Sequence, residues 1–223
     1  MRLEVRKARD EYVVRFEPSW PLRATDYTPL YLDAKTGLLA AEPFPEAVTV
    51  RYRSTGRRRR DHAWFVHRFA SDTELTGSMT LKLWVSTSEG DDLDLFVVVH
   101  KLGPAGDELF FYGFNGFVRD AVAKGWLRVS HRETDAHRSR AGRPWHTHRQ
   151  RQPLTPDEIV PVEIEILASS TLFESGSSLA VEVLGRDAAR YPAFRHRRGV
   201  NRGYHTIHTG GRFDSHLLVP RVC

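Results

Sequence analysis

Four carboxylates crowd one short stretch of this 223-residue chain: Glu89, Asp91, Asp92 and Asp94. Oxygen donors at that density are what a calcium ion takes. An EF-hand loop would continue to a further glycine and a bidentate glutamate, and both are missing. A polar turn, with Asp94 hydrogen-bonded at a strand edge, is the simpler reading. Two histidine pairs, His146/His148 and His205/His208, place imidazoles close together, but neither has a third ligand at a metal-site spacing. Hydrogen-bonded or surface histidines explain them as well. A serine nucleophile on a strand-to-helix elbow requires G-x-S-x-G. The nearest approach, Gly176-Ser177-Ser178, lacks the spacing and a following helix and reads as a turn. Cys223, the only cysteine, is the last residue, which leaves no cysteine catalysis inside the chain and no intrachain disulfide. No catalytic, cofactor-binding or metal-ligating residue is therefore assigned.

The elements that would position such groups are strands. The stretch from Thr73 to Leu102 is the centre of the pattern. Leu81, Leu83 and Val85 alternate with Thr80, Lys82 and Trp84, the period of two of a strand with one buried face. Ser86 to Asp92 is turn chemistry around Gly90, and Leu93 to Val99 resumes a strand, so the two are expected to be partners in one sheet. Further strands are expected at Leu3–Arg6, Val13–Phe16, Leu30–Asp33, Ala47–Tyr52, Ala63–Phe69, Leu109–Tyr112, Trp126–Ser130, Val160–Leu167 and Leu179–Leu184. The end, Tyr204 to Pro220, holds two more. Pro18, Pro21 and Pro29 should break pairing across a connecting segment, which Trp20 and Leu22 would pin down. Helical spacing is not sustained; Phe117 to Gly125 could supply a turn or two. Trp84 and Trp126 are expected in the core and Trp145 in an exposed loop. About a dozen short strands with turns between them predict an all-β, two-sheet jelly-roll β-sandwich of the galactose-binding-domain-like kind. Residues 1–223 would form one domain, with 1–52 as an N-terminal strand and linker region.

Composition agrees with a globular chain: 40% hydrophobic and 27% charged. The start has no apolar leader, and no apolar run approaches the ~18 residues of a membrane helix. The expectation is a soluble, cytoplasmic protein cut from something longer, with no membrane partner. A net charge of +5 raises nucleic acid as a partner. The basic residues fall in Arg57–Arg60 and Arg138–Arg151, which read as loops without a recognition helix or aromatic RNA-binding strand, so an acidic partner domain suits them better.

Several segments, in order along nearly the whole chain, resemble a known family. They are Trp20-Pro21-Leu22 with Leu30-Tyr31-Leu32, and Leu75-Thr76-Gly77-Ser78 leading through Leu81–Ser86 to Asp92-Leu93-Asp94-Leu95. Gly125–Arg132, Val162–Ile166 with Ser169–Phe173 and Gly176, and Ile207–Gly211 with Ser215–Pro220 complete the set. The chain resembles the C-terminal, non-catalytic jelly-roll domain of the CocE/NonD hydrolases, which include cocaine esterase, α-amino-acid ester hydrolases and Xaa-Pro dipeptidyl-peptidases. The resemblance implies an accessory domain that packs on an α/β-hydrolase catalytic domain, upstream or in a separate subunit, and shapes its active site. The catalytic triad would lie in that other domain, and a homo-oligomer is possible. The chain departs from the family at Asp157-Glu158, at Ser177-Ser178-Leu179, and at Ser54–His62, where arginines replace an apolar substrate-facing loop. No substrate-lining residue is carried over. The alternative from a different class is a standalone carbohydrate- or ligand-binding β-sandwich.

Overall fold

The longest described strand, β7 (Thr73–Thr87), buries Leu75, Met79, Leu81, Leu83 and Val85 on one face. The computed structural model describes residues 1–56, 58, 61–113, 116, 118–188 and 199–223. Along one edge of β7 runs β13 (Val160–Phe173), antiparallel, from Val160 opposite Val85 to Phe173 opposite Thr73. Two strands share the other edge: β16 (His216–Val222) beside the first half and β15 (Tyr204–Thr209) beside Trp84–Thr87. β3 (Thr25–Asp33) continues the layer past β16, and β5 (Val48–Arg53) past β15. Beyond the far end of β13 lie β1 (Arg2–Ala8) and β2 (Glu11–Phe16).

The second layer is β12 (Ala123–Arg128), β8 (Asp94–Leu102), β14 (Ser178–Leu184) and β6 (Ala63–Arg68), in that order. Short β9 (Glu108–Leu109) adds to the end of β8, and β10 (Phe111–Tyr112) pairs with β11 (Arg119–Asp120) in a separate two-stranded sheet. The inward rows of both layers merge into one cluster. Leu81, Leu83, Ile164 and Leu217 meet Phe65, Val97, Val99 and Val181 there. Each such side chain contributes about 1.5–3 kcal/mol by leaving water. The fold is an all-β sandwich, and no α-helix occurs among the described residues.

The layers are not two separate sheets. β4 (Leu38–Ala40) bridges them through Leu38 and Val66, and Gly125 of β12 pairs with Ile166 of β13. At Gly125 the backbones approach so closely that a Cβ would lie 2.3 Å from the Glu165 carbonyl oxygen. Only glycine permits that corner. Just beyond it, β13 bulges. Ile166 faces Met79 and Ser169 faces Gly77, so Leu167 and Ala168 oppose a single residue. A bulge re-aims side chains, and Leu167 is turned outward to 54% exposure.

Several expectations change. β7 and β8 are not neighbours, because both edges of β7 are occupied by β13, β15 and β16, and those of β8 by β12 and β14. The acidic connection therefore crosses between layers. Pro29 lies inside β3 rather than breaking it: β4 pairs only with Tyr31–Asp33, so at Pro29 one side carries no ladder to interrupt. Leu109–Tyr112 is split between β9 and β10. The Trp126 strand starts at Ala123 and ends at Arg128 in a short 3-10 turn, Val129–His131. Phe117 lies outside the described residues, and the rest of the expected helical turn is two strand pieces, Arg119–Asp120 and the start of β12, joined by a bend. Leu22 is buried, but Trp20 is 45% exposed.

Replacing Gly125 by alanine should destabilise the sandwich by about 3 kcal/mol, the cost of overpacking a site that cannot relax. Urea denaturation would measure this, and a loss under about 0.5 kcal/mol would show that the corner tolerates a Cβ.

Candidate interaction surface

The acidic residues of the β7–β8 connection do not converge. Asp92 is buried; its carboxylate accepts hydrogen bonds from the Ser130 N–H at 2.8 Å, the Ser130 hydroxyl at 2.6 Å and the Leu93 N–H at 2.9 Å. Asp94 takes both arms of Arg128, at 2.7 and 2.9 Å, the strand-edge role expected of it. Asp91 pairs with Arg151 at 2.8 Å, and Glu89 is exposed. This stitching also stops β12 as a strand, because Ser130 turns to meet Asp92. No group of three or more potential ligands is poised around a metal among the described residues.

Of the two histidine pairs, His146 and His148 stay close, with ring centroids 6.0 Å apart, whereas His205 and His208 go to different partners. His205 is buried against Tyr52, with its Nδ1 3.3 Å from the tyrosine hydroxyl, and burial pushes the imidazole down to about 3. The same burial pushes the Tyr52 phenol up. His208 meets the Ser86 hydroxyl at 3.0 Å, and its pKa is lowered by burial and by Arg212. Ser177 is buried, its hydroxyl donating to the Glu174 carbonyl at 2.6 Å within the β13–β14 turn. Of the Arg57–Arg60 run, Arg57, Arg59 and Arg60 lie outside the described residues. Arg58 is exposed, and its backbone N–H donates to Asp61 at 2.6 Å.

Two polar clusters went unread in the sequence. Lys101 is fully buried and donates to the Lys7 and Leu172 carbonyls, both at 2.6 Å, and to Glu174 at 2.5 Å. It ties β8 to β1 and β13, and a lysine inside an apolar strand is the one hint its sequence offers. On the outer face of β6, β14 and β8, Glu182 lies between two imidazoles. His62 Nδ1 is 2.5 Å from one of its oxygens and His100 Nε2 is 3.1 Å from the other. The second ring nitrogen of His100 meets Glu108 at 2.7 Å. A ring whose two nitrogens both face carboxylates must donate from both, so His100 is an imidazolium. Trp64 covers the cluster, its ring centroid 4.9 Å from that of His100. Burial alone would raise the Glu182 carboxyl, but hydrogen bonds from His100 and His62 outweigh it and hold it down at about 2. Burial likewise works against the charged His100, and Glu182 and Glu108 overcome it and raise the imidazole. Residues 62, 100, 108 and 182 are brought together only by strand register.

The tryptophans divide contrary to expectation. Trp84 is half-buried, its indole N–H donating to Asp214 at 2.8 Å. Trp126 faces solvent at 61% exposure, because Leu127 takes the inward position of β12. Trp145 is exposed as expected, with the Arg138 guanidinium 3.7 Å over its ring. Trp126, Leu167, His131 and His146 line a hollow of about 300 Å³. It abuts a second of about 360 Å³, lined by Trp145, Arg138, Arg140 and Arg143, with His146, His148 and Glu165 common to both. Burial, together with His148, lowers the pKa of His146. Two exposed tryptophans, a group of arginines and a concave surface coincide here.

Residues 1–218 match the profile of the X-Pro dipeptidyl-peptidase C-terminal non-catalytic domain. The chain belongs to that family. It is also similar to a CocE/NonD family hydrolase from Staphylococcus aureus, seen in two crystal structures at 41% and 42% identity and TM-scores of 0.95 and 0.94. The matches cover 100% and 99% of this chain and 41% of the hydrolase in both cases. More distant likenesses show the fold alone. An aminopeptidase from a marine sediment Thaumarchaeota archaeon, 15% identical, matches with a TM-score of 0.68 over 95% of this chain and 39% of its own. An α-amino acid ester hydrolase, also 15% identical, matches with 0.61 over 87% and 36%. No curated protein matches the chain. No helix among the described residues is long and apolar enough to cross a membrane.

The titrating groups set opposite pH dependences. The contribution of His100, whose folded pKa is raised, is complete below 6.5 and lost as pH rises through that elevated value. That of Glu182 is complete above 4.5 and lost as pH falls toward about 2. That of His205 is complete above 6.5 and lost as pH falls toward about 3, at up to about 1.4 kcal/mol per pH unit. Urea denaturation across pH should therefore show the His100→Gln deficit shrinking from pH 6 to 9. It should also show His205→Gln removing part of the acid slope. A His100→Gln deficit independent of pH would refute the imidazolium.

Proposed function

We propose that this chain is the accessory domain of a serine hydrolase acting on esters or on Xaa-Pro peptides. In this reading residues 1–223 form one domain. It packs on an α/β-hydrolase catalytic domain, stabilises it and walls one side of the active-site cleft. The observation that carries the proposal is the match of the entire chain to 41% of a CocE/NonD hydrolase, which leaves the larger part of such a protein for the catalytic machinery. The side chains of this chain that could have served chemistry fit the reading. Asp92, Asp94, Ser177 and His208 are each committed to hydrogen bonds within the domain, and we assign none of them to catalysis. A cytoplasmic location belongs to the same proposal. The standalone carbohydrate-binding alternative is disfavoured by the family match and by the 41% identity to a CocE/NonD hydrolase.

The coding sequence upstream should contain a G-x-S-x-G elbow followed by an aspartate and a histidine, in this polypeptide or in a neighbouring subunit's gene. The isolated 223-residue chain should hydrolyse p-nitrophenyl acetate and Ala-Pro-anilide no faster than buffer. Turnover by the purified chain, abolished by mutating one of its own residues, would defeat the proposal.

A further inference from the structure

A six-residue strand places Trp126 in solvent, and a bulge one strand away does the same to Leu167; both line one hollow. Across the rim stands Trp145 with Arg138 stacked on it. Tryptophan and arginine are the residue types that carry most binding energy in protein interfaces, where an apolar anchor fills a pocket and water is excluded around it. The local charge is as marked as the shape. Residues 126–151 contain seven arginines against Glu133 and Asp135, a net +5 that equals the net charge of the whole chain, so the remainder is neutral overall. Arg143 pairs with Glu165 at 3.3 Å, Arg151 with Asp91 and Arg128 with Asp94. Arg138 and Arg140 have no carboxylate within ion-pair distance among the described residues; Arg140 donates to the His137 and Ser139 carbonyls. Of the four arginines of this segment without an ion pair among the described residues, Arg138 and Arg140 sit on the lip of the hollow.

We propose that this face docks an acidic segment of the hydrolase catalytic domain, which seats an apolar side chain between Trp126 and Leu167 and sets carboxylates against Arg138 and Arg140. This rests on the accessory-domain reading and names the surface and the chemistry of its partner. Two competitors fit less well. A two-fold contact with a second copy would bring two faces of net +5 together, and like charges across an interface cost affinity. The other exposed apolar run, Tyr12, Val13 and Phe16 on β2, lies among nearly balanced charges, five cations against four carboxylates over residues 2–17, which give no excess to select a partner.

The test is a photo-crosslinker, p-benzoylphenylalanine, placed singly at position 126, 145 or 16 of the protein together with its catalytic domain, with crosslinked peptides read by mass spectrometry. All three positions are exposed, so folding should survive, and thermal melting checks it. Positions 126 and 145 should crosslink to a segment of the catalytic domain rich in Asp and Glu, and position 16 should not. The double variant Arg138→Glu/Arg140→Glu should cut the yield from 126 roughly tenfold, and raising the salt should lower it as well. Crosslinks from 16 alone, or from 126 to a segment without carboxylates, overturn the docking face while leaving the accessory-domain reading intact. Crosslinks from 126 to a second copy of this chain or to nucleic acid overturn it too. If no position reaches a catalytic domain, both proposals fall.

Discussion

The pairing of β7 with β13 is the constraint on which the rest of the molecule depends. It runs the length of both strands and determines which edges remain for the others. Because β13 takes one edge of β7 completely, β15 and β16 must divide the other edge, and β8 must start a second layer. The same ladder fixes the bulge at Leu167–Ala168. Gly77, with φ at +147°, opposes it, a left-handed conformation that favours glycine and bends β7 where a side chain would meet Pro220. One register shift inside the core ladder thereby determines what the surface shows.

Charge inside and around this frame is mostly matched at short range. Lys101, wholly buried, is tolerated because two carbonyls and one carboxylate replace its water. Asp92 is satisfied by three donors, two from Ser130 and one from the adjacent Leu93 N–H, and Asp94 by a bidentate guanidinium. The Glu182 cluster works on the outer face as Lys101 works inside, joining strands distant in sequence through a charged group with full partners. At the Trp145 rim, in the proposed docking, a partner's carboxylates do for Arg138 and Arg140 what Asp94 does for Arg128.

Strand positions were largely legible in the sequence. Alternation at Leu81–Val85 and Val162–Ile166 reports one buried face directly, and those residues are buried in the structure. Asp94 was legible as a strand-edge acceptor from its place beside a turn. Trp126 was misread because its aromatic character outweighed its phase in the strand; the phase, set by Leu127 and Gly125 pointing the other way, was the better guide. Pro29 was misread because an edge without a partner is a tertiary fact.

The residue types alone therefore determined the fold class, the approximate strands and the family, since periodicity and ordered motifs are local properties of the chain. Tertiary structure decided which strands are neighbours, because hydrogen-bonded edges are shared out among all strands at once. It also decided the contact of His62, His100, Glu108 and Glu182, which depends on the registers of β6, β14 and β8. The hollow between Trp126 and Leu167 belongs to the same class. It exists because a glycine lets two backbones meet at Gly125 and the bulge next to it turns a leucine toward water.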